Sequence, residues 1–138
     1  MFECILTALD GSEHDTKTLT AARELATLSG GQVRVLHVRG VRFIDRAGFG
    51  PSEEQDHASK LVESAVADLV AAGLEATGTA RTSQSGLVVA EILKEAEDCD
   101  ASVIVIGSSR TGDLKGLVVG STTHKVLQLA RSPVLVVP

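Results

Sequence analysis

The stretch VIVIGSSRTGDLKGLVVGSTTHKVLQLARSPVLVV, residues 103–137, decides the fold of this chain. It begins with an apolar run of strand length, 103–106, and a loop bounded by Gly107 and Gly120 follows. Hydroxyl residues then open a helix that leads to a second apolar run. Short apolar runs that alternate with helices are typical of buried strands in a parallel sheet. The loop and the helix start can bind an anion, because backbone N–H groups and the helix dipole converge there.

The rest of the chain repeats this alternation of strand and helix. Apolar patterns predict strands over residues 4–9, 33–38, 74–82, 102–106 and 134–137. The third strand contains Gly78 and is predicted mainly because the helix after it must connect two parallel strands, of which this is the first. We expect Ser12, Ser52 and Ser85 to act as capping residues of the first three helices, and the last helix to begin at about Ser121.

Four βα units followed by a last strand predict an α/β fold. The sheet is expected to be open, doubly wound, five-stranded and parallel, with four helices and the strand order 3-2-1-4-5. In this order the winding reverses beside the first strand, and ligands of such sheets bind outside the strand ends at that reversal. Asp10 and the loop from Gly107 should therefore face one crevice.

Length and composition limit the function classes. The chain has 138 residues, of which 43% are hydrophobic and only 2% aromatic, so we expect a single domain over residues 1–138 with an aliphatic core. The net charge of −5 and the few aromatic residues argue against nucleic-acid binding. Cys4 and Cys99 form no CxxC pair, and no apolar run approaches the about 18 residues of a membrane span. We therefore expect a cytoplasmic protein without a membrane segment.

These motifs resemble the universal stress protein family over nearly the whole chain. The resemblance runs from ILTALDGSEH (residues 5–14) through VRVLHV (33–38) to the C-terminal stretch. Nucleotide-binding members carry G-x2-G-x9-G-[ST] after the fourth strand. Gly107 fits the first glycine, and Gly120 and Ser121 fit the last pair at the same separation, but Arg110 replaces the second glycine. Gly112 and the cationic groups of Arg110 and Lys115 are candidates to compensate for that change.

The resemblance implies a Rossmann-like fold of the adenine nucleotide alpha hydrolase-like type and a dimeric protein of stress response or signalling. It implies ATP or another adenine nucleotide as ligand, with Mg²⁺ held through the phosphates. It also implies that the homodimer forms through the C-terminal strand Val134–Val137. The nucleotide-binding residues that it implies are Ala8, Leu9, Asp10, Val38, Gly107, Ser109, Arg110, Gly120, Ser121 and Thr122.

Several alternatives remain at this stage. Arg110 in the motif favours a nucleotide-independent member that acts through dimerisation and partner binding. Asp10 could be only a turn residue, and Ser121 only an N-cap. The histidines show no metal-site spacing, and no catalytic base paired with a nucleophile can be placed, so we expect at most a slow ATPase.

Overall fold

The computed structural model describes residues 1–41, 51–108 and 119–138. Its strands alternate with helices along the chain, and a short 3-10 turn precedes the third helix. In chain order the elements are β1 (Cys4–Leu9), α1 (Asp15–Ser29), β2 (Gln32–Val41), α2 (Pro51–Ala71), β3 (Ala76–Gln84), the 3-10 turn (Ser85–Leu87), α3 (Val88–Asp98), β4 (Val103–Gly107), α4 (Ser121–Leu129) and β5 (Val134–Val137).

The five strands form one parallel sheet in the order β3-β2-β1-β4-β5, which confirms the predicted fold. β1 lies at its centre, and every residue of β1 is buried. Its register places Ala8 beside Leu36 of β2 and beside Ile106 of β4. The carboxyl ends of these three strands therefore meet at one edge of the sheet.

Two aliphatic cores cover the two faces of the sheet, because successive side chains of a strand point to opposite faces. On one face, Ile5 of β1 packs with Ala22 of α1 and Val62 of α2. On the other face, Leu6 of β1 packs with Ile92 of α3 and Val126 of α4. Burial on both faces explains why β1 and β4 are continuous apolar runs rather than alternating ones.

The predicted capping serines are wrong at two helices. α1 begins at Asp15, directly after His14, and no side chain caps it. The Ser12 hydroxyl instead accepts a hydrogen bond of 3.2 Å from the His14 N–H, within the turn before the helix. α3 begins at Val88 because the 3-10 turn Ser85–Leu87 comes first, and no side chain caps α3 either.

The described helices also answer the question of a membrane span. Among residues 1–41, 51–108 and 119–138, no helix combines the length and the apolar character that crossing a bilayer requires. Arg39 belongs to β2, and Arg42 and Arg46 after it lie outside the described residues.

Candidate nucleotide site

A cleft of about 250 Å³ opens at the carboxyl ends of β1, β2 and β4. This is the edge where the winding of the sheet reverses, the position at which doubly wound sheets bind ligands. The cleft brings together most of the residues that the sequence indicated, namely Ala8, Leu9, Asp10, Val38, Gly107, Gly120, Ser121 and Thr122. Ser109 and Arg110 lie outside the described residues. The binding role of all ten residues stays a prediction.

One side of the cleft is apolar. Leu36 and Val38 contribute from β2, and Ile106 contributes from β4. Val88 and Ile92 cover them from α3. Sequence reasoning missed Leu36, Val88 and Ile92, although two signals were present. Leu36 points to the same face of its strand as Val38, and the two α3 residues are four positions apart on one helix face.

The turn between β1 and α1 forms a second side and fixes Asp10. The Asp15 carboxylate accepts hydrogen bonds from the backbone N–H groups of Asp10 at 3.1 Å and Gly11 at 2.8 Å. Asp10 Oδ1 in turn accepts one from the Ser12 N–H at 2.9 Å. Gly11 has a φ of 83°, which a residue with a side chain rarely adopts. The sequence indicated Asp10 but not Asp15, whose role depends on the folded turn.

The two carboxyl groups of this turn differ in pKa. Burial raises the pKa of Asp15 to about 6, and the charge of Asp10 adds to this, although the hydrogen bonds from Asp10 and Gly11 oppose it. At Asp10, burial also raises the pKa, but hydrogen bonding with Ser12 outweighs burial and holds the pKa below its ordinary value. As pH falls from neutrality, Asp15 therefore takes up a proton before Asp10 does.

We expect the stability of the fold to depend on pH through Asp15. Folding raises its pKa from 3.8 to about 6, so its contribution to stability is fully present below about pH 4 and is lost as pH rises through about 6. Asp15→Asn removes this titration. The unfolding free energy of the wild type minus that of the variant should therefore fall by on the order of 1 kcal/mol between roughly pH 4.5 and pH 7.5, allowing for solvent screening. Urea denaturation measures it, and a constant difference would contradict the prediction.

The third side of the cleft is the junction between β4 and α4. The Gly120 N–H donates to the Ser108 carbonyl at 2.7 Å, and Thr123 Oγ1 donates to the Gly107 carbonyl at 2.7 Å. These bonds hold the start of α4 against the end of β4. Gly120 is the N-cap, so the alternative that Ser121 is the N-cap is wrong, and among the described residues no side chain caps the helix. The first N–H groups of α4 are therefore available to an anion in the cleft.

Among residues 1–41, 51–108 and 119–138, no group of three or more histidine, cysteine, aspartate or glutamate side chains is arranged to hold a metal ion. Thr18 of α1 and the pair His14 and Asp15 complete the lining of the cleft, and the sequence indicated none of these three.

Comparisons with known proteins agree with this fold. A sequence profile of the universal stress protein family matches residues 1–138. The chain is 32% identical to universal stress protein YxiE of Bacillus subtilis, over 99% of both chains. It is 30% identical to universal stress protein MJ0577 of Methanocaldococcus jannaschii, over 99% of this chain and 95% of that one. The solved structure of MJ0577 superposes with a TM-score of 0.82 and 27% identity, over 99% of this chain and 96% of that one. A universal stress protein from Archaeoglobus fulgidus, solved in complex with dAMP, superposes with a TM-score of 0.75 and 25% identity over 100% of both chains. This chain belongs to the universal stress protein family.

Proposed function

We propose that this protein binds an adenine nucleotide in the cleft at the carboxyl ends of β1, β2 and β4. The observation that carries the proposal is that one cleft joins an apolar wall to a helix start without a side-chain cap. An apolar wall suits a planar base, and an uncapped helix start suits a phosphate. The dAMP complex of the related Archaeoglobus fulgidus protein supports the choice of an adenine nucleotide.

The base and ribose are assigned to the apolar side and to the turn after β1. Val38 and Val88 contribute apolar surface to the base, while Ala8 and Leu9 offer backbone groups beside it. The Leu9 carbonyl already contacts His37 Nδ1 at 2.8 Å, which fixes the end of β1 rather than leaving it free to adjust. Asp10 lies where this side meets the polar half, and its carboxylate accepts a hydrogen bond from a ribose hydroxyl.

The phosphates are assigned to the β4–α4 junction. Gly107 and Gly120 leave space for a phosphate close to the backbone, and Ser121 and Thr122 offer N–H and hydroxyl donors at the start of α4. Ser109 and Arg110 belong to the stretch of sequence between Gly107 and Gly120 and would add contacts to the phosphates. Where the ligand is ATP, Mg²⁺ would be held mainly through the phosphate oxygens, which is the usual mode for this ion.

Binding measurements test the proposal directly. Calorimetric titration with AMP, ADP, ATP and cyclic AMP should give a Kd of roughly micromolar order for at least one of them, with GMP as the control for the base. Mass spectrometry of the denatured protein reports any nucleotide that stays bound through purification. Absence of binding by all four adenine nucleotides would contradict the proposal. A steady-state phosphate assay with ATP should show little or no turnover.

The second candidate function is a nucleotide-independent family member that acts through dimerisation and partner binding. The observation that favours it is Arg110, which stands where the nucleotide-binding motif has a glycine. A side chain at that position restricts positive φ and close approach of a phosphate to the backbone. The same titrations separate the two functions, because only the nucleotide-independent function predicts a dimer that binds no nucleotide. For either function, we propose that the protein acts in the cytoplasm.

We also propose that two chains pair through β5. This strand lies at the edge of the sheet, and its Leu135 is 41% exposed, so one side of its backbone and an apolar side chain are open to a partner. Leu135→Lys should convert the dimer to a monomer in light scattering. Leu28→Lys is the matched control, because Leu28 is 86% exposed and belongs to α1 rather than to the edge strand. A monomeric wild type would contradict the pairing.

A further inference from the structure

His14 lines the cleft, and one of its ring nitrogens has no hydrogen-bonding partner among the described residues. Its Nε2 is buried and has no hydrogen-bonding partner within the described part of the chain. The backbone of the same residue is fully engaged. Its N–H donates to Ser12 Oγ at 3.2 Å, and its carbonyl accepts bonds from both the N–H and the hydroxyl of Thr18 at 3.1 Å. The backbone of the residue is therefore held in place, while its Nε2 has no partner among the described residues.

A buried polar atom without a partner requires a physical explanation. Such an atom loses its bonds to water on folding, at a cost of about 1–3 kcal/mol, and native proteins contain few of them. The Thr7 hydroxyl is another in the described chain, but Thr7 lies inside β1 and does not line the cleft. His14 does line the cleft, so a ligand there can provide the missing partner.

The charges around the cleft indicate which group of a ligand would bind His14 Nε2. Among the described residues that line it, Asp10 and Asp15 carry carboxylates, and none is a lysine or an arginine. A phosphate entering the described cleft therefore meets negative charge, which disfavours its binding. His14 is the one described lining residue with an imidazole side chain, and a ring N–H can donate to a phosphate oxygen.

His14 and the start of α4 reach the cleft from opposite faces of the sheet. α1 packs mainly over β1 and β4. The apolar wall belongs to the opposite face of the sheet, where Leu36 and Val38 pack with α3. His14 precedes the first residue of α1, so it approaches the cleft from the face opposite that wall. α4 packs on the face of the wall, where its Val126 belongs to the same core as Ile92 of α3, so its start reaches the cleft from that face.

We propose that His14 donates a hydrogen bond from Nε2 to a phosphate oxygen of the bound nucleotide, and thereby makes the site select phosphorylated ligands over nucleosides. This proposal rests on the proposed nucleotide-binding function and adds a residue and a selectivity to it. The start of α4 binds the phosphate from one side through backbone donors. His14 binds it from the other side through a side chain.

Calorimetric titration with AMP and with adenosine tests the role of His14. His14→Ala should weaken AMP binding by about tenfold, the usual effect of losing one hydrogen bond to a charged group, and should leave adenosine binding within about twofold. His57→Ala is the matched control, because His57 is exposed on α2 and does not line the cleft. It should change neither affinity.

A second measurement needs no variant. In the wild-type protein, the nitrogen-15 resonance of His14 Nε2 should shift on addition of AMP and stay in place on addition of adenosine. If His14→Ala weakens AMP and adenosine equally, or leaves AMP within about twofold, the assignment of His14 is wrong and nucleotide binding itself stands. If the wild type binds neither ligand, the proposed function is wrong and this inference is wrong with it.

Discussion

Replacing Arg34 and Arg81 together with methionine is expected to lower the free energy of unfolding by about 3–5 kcal/mol. Both arginines bind the carboxylate of Glu95, whose side chain is only 3% exposed. Arg34 donates from Nε at 3.0 Å, and Arg81 donates from Nη2 at 2.7 Å. Without the two cations, a buried carboxylate remains without a counter-charge. Methionine keeps much of the apolar stem of arginine, so the change isolates the charge.

The exposure of the Arg34 and Arg81 side chains decides which variants serve as controls. The Arg34 and Arg81 side chains are 28% and 31% exposed, so water can solvate them when the carboxylate alone is removed. Glu95→Met should therefore cost less than the double arginine replacement. The triple replacement should recover much of the stability lost in the double variant, because no buried charge remains. Guanidinium denaturation at about pH 7 measures all three. A double variant within about 1 kcal/mol of the wild type would contradict this reasoning.

This ion cluster connects stability with the cleft. Arg34 belongs to β2, Arg81 to the edge strand β3 and Glu95 to α3, so the three side chains join three elements. α3 also carries Val88 and Ile92, which form part of the apolar wall. The further ion pair between Arg81 and Glu91, at 3.1 Å, is about 30% exposed on both sides and contributes little by comparison. Weakening the cluster should loosen the wall as well as the edge of the sheet.

The strand order could be predicted from the sequence because the apolar runs are distinct and the handedness of βαβ units leaves few alternatives. Gly78 made the third strand the least certain. In the structure a Cβ at Gly78 would lie 2.5 Å from Val62 Cγ1 of α2, so the glycine allows the helix to approach the sheet. That reason depends on a contact between distant parts of the chain, and the strand pattern does not reveal it.

Some residues of the candidate site could be predicted from the sequence and others could not. Residues that directly follow a strand or open a helix, such as Asp10 and Ser121, could be predicted, because strand ends in a parallel sheet meet at one edge. Asp15 and His14 could not be predicted, because their roles depend on the turn after β1 rather than on a spacing in the sequence. The contact between Arg34 and Glu95, 61 positions apart, was equally invisible to local patterns.

Gly120→Asp is expected to stabilise α4 and to weaken AMP binding by at least about 100-fold. Gly120 has φ −60° and ψ 159°, angles that a residue with a side chain adopts readily, and it occupies the N-cap. Aspartate is a preferred N-cap, and its charge suits the positive end of the helix dipole, so the free energy of unfolding should rise by about 0.5–1 kcal/mol.

The same carboxylate would occupy the backbone donors that the phosphate needs and would repel the phosphate, with about 1.5–3 kcal/mol lost for each charged hydrogen bond. Gly120→Asn caps the helix without the charge and should bind AMP with intermediate affinity. Gly120→Ala neither caps nor repels, so it isolates the steric effect of a Cβ in the space assigned to the phosphate and should lose less affinity than Gly120→Asp. Thermal denaturation and calorimetry of the three variants separate the two effects. A stabilised Gly120→Asp variant that still binds AMP like the wild type would place the phosphate away from α4, because a capped helix start cannot also bind the ligand.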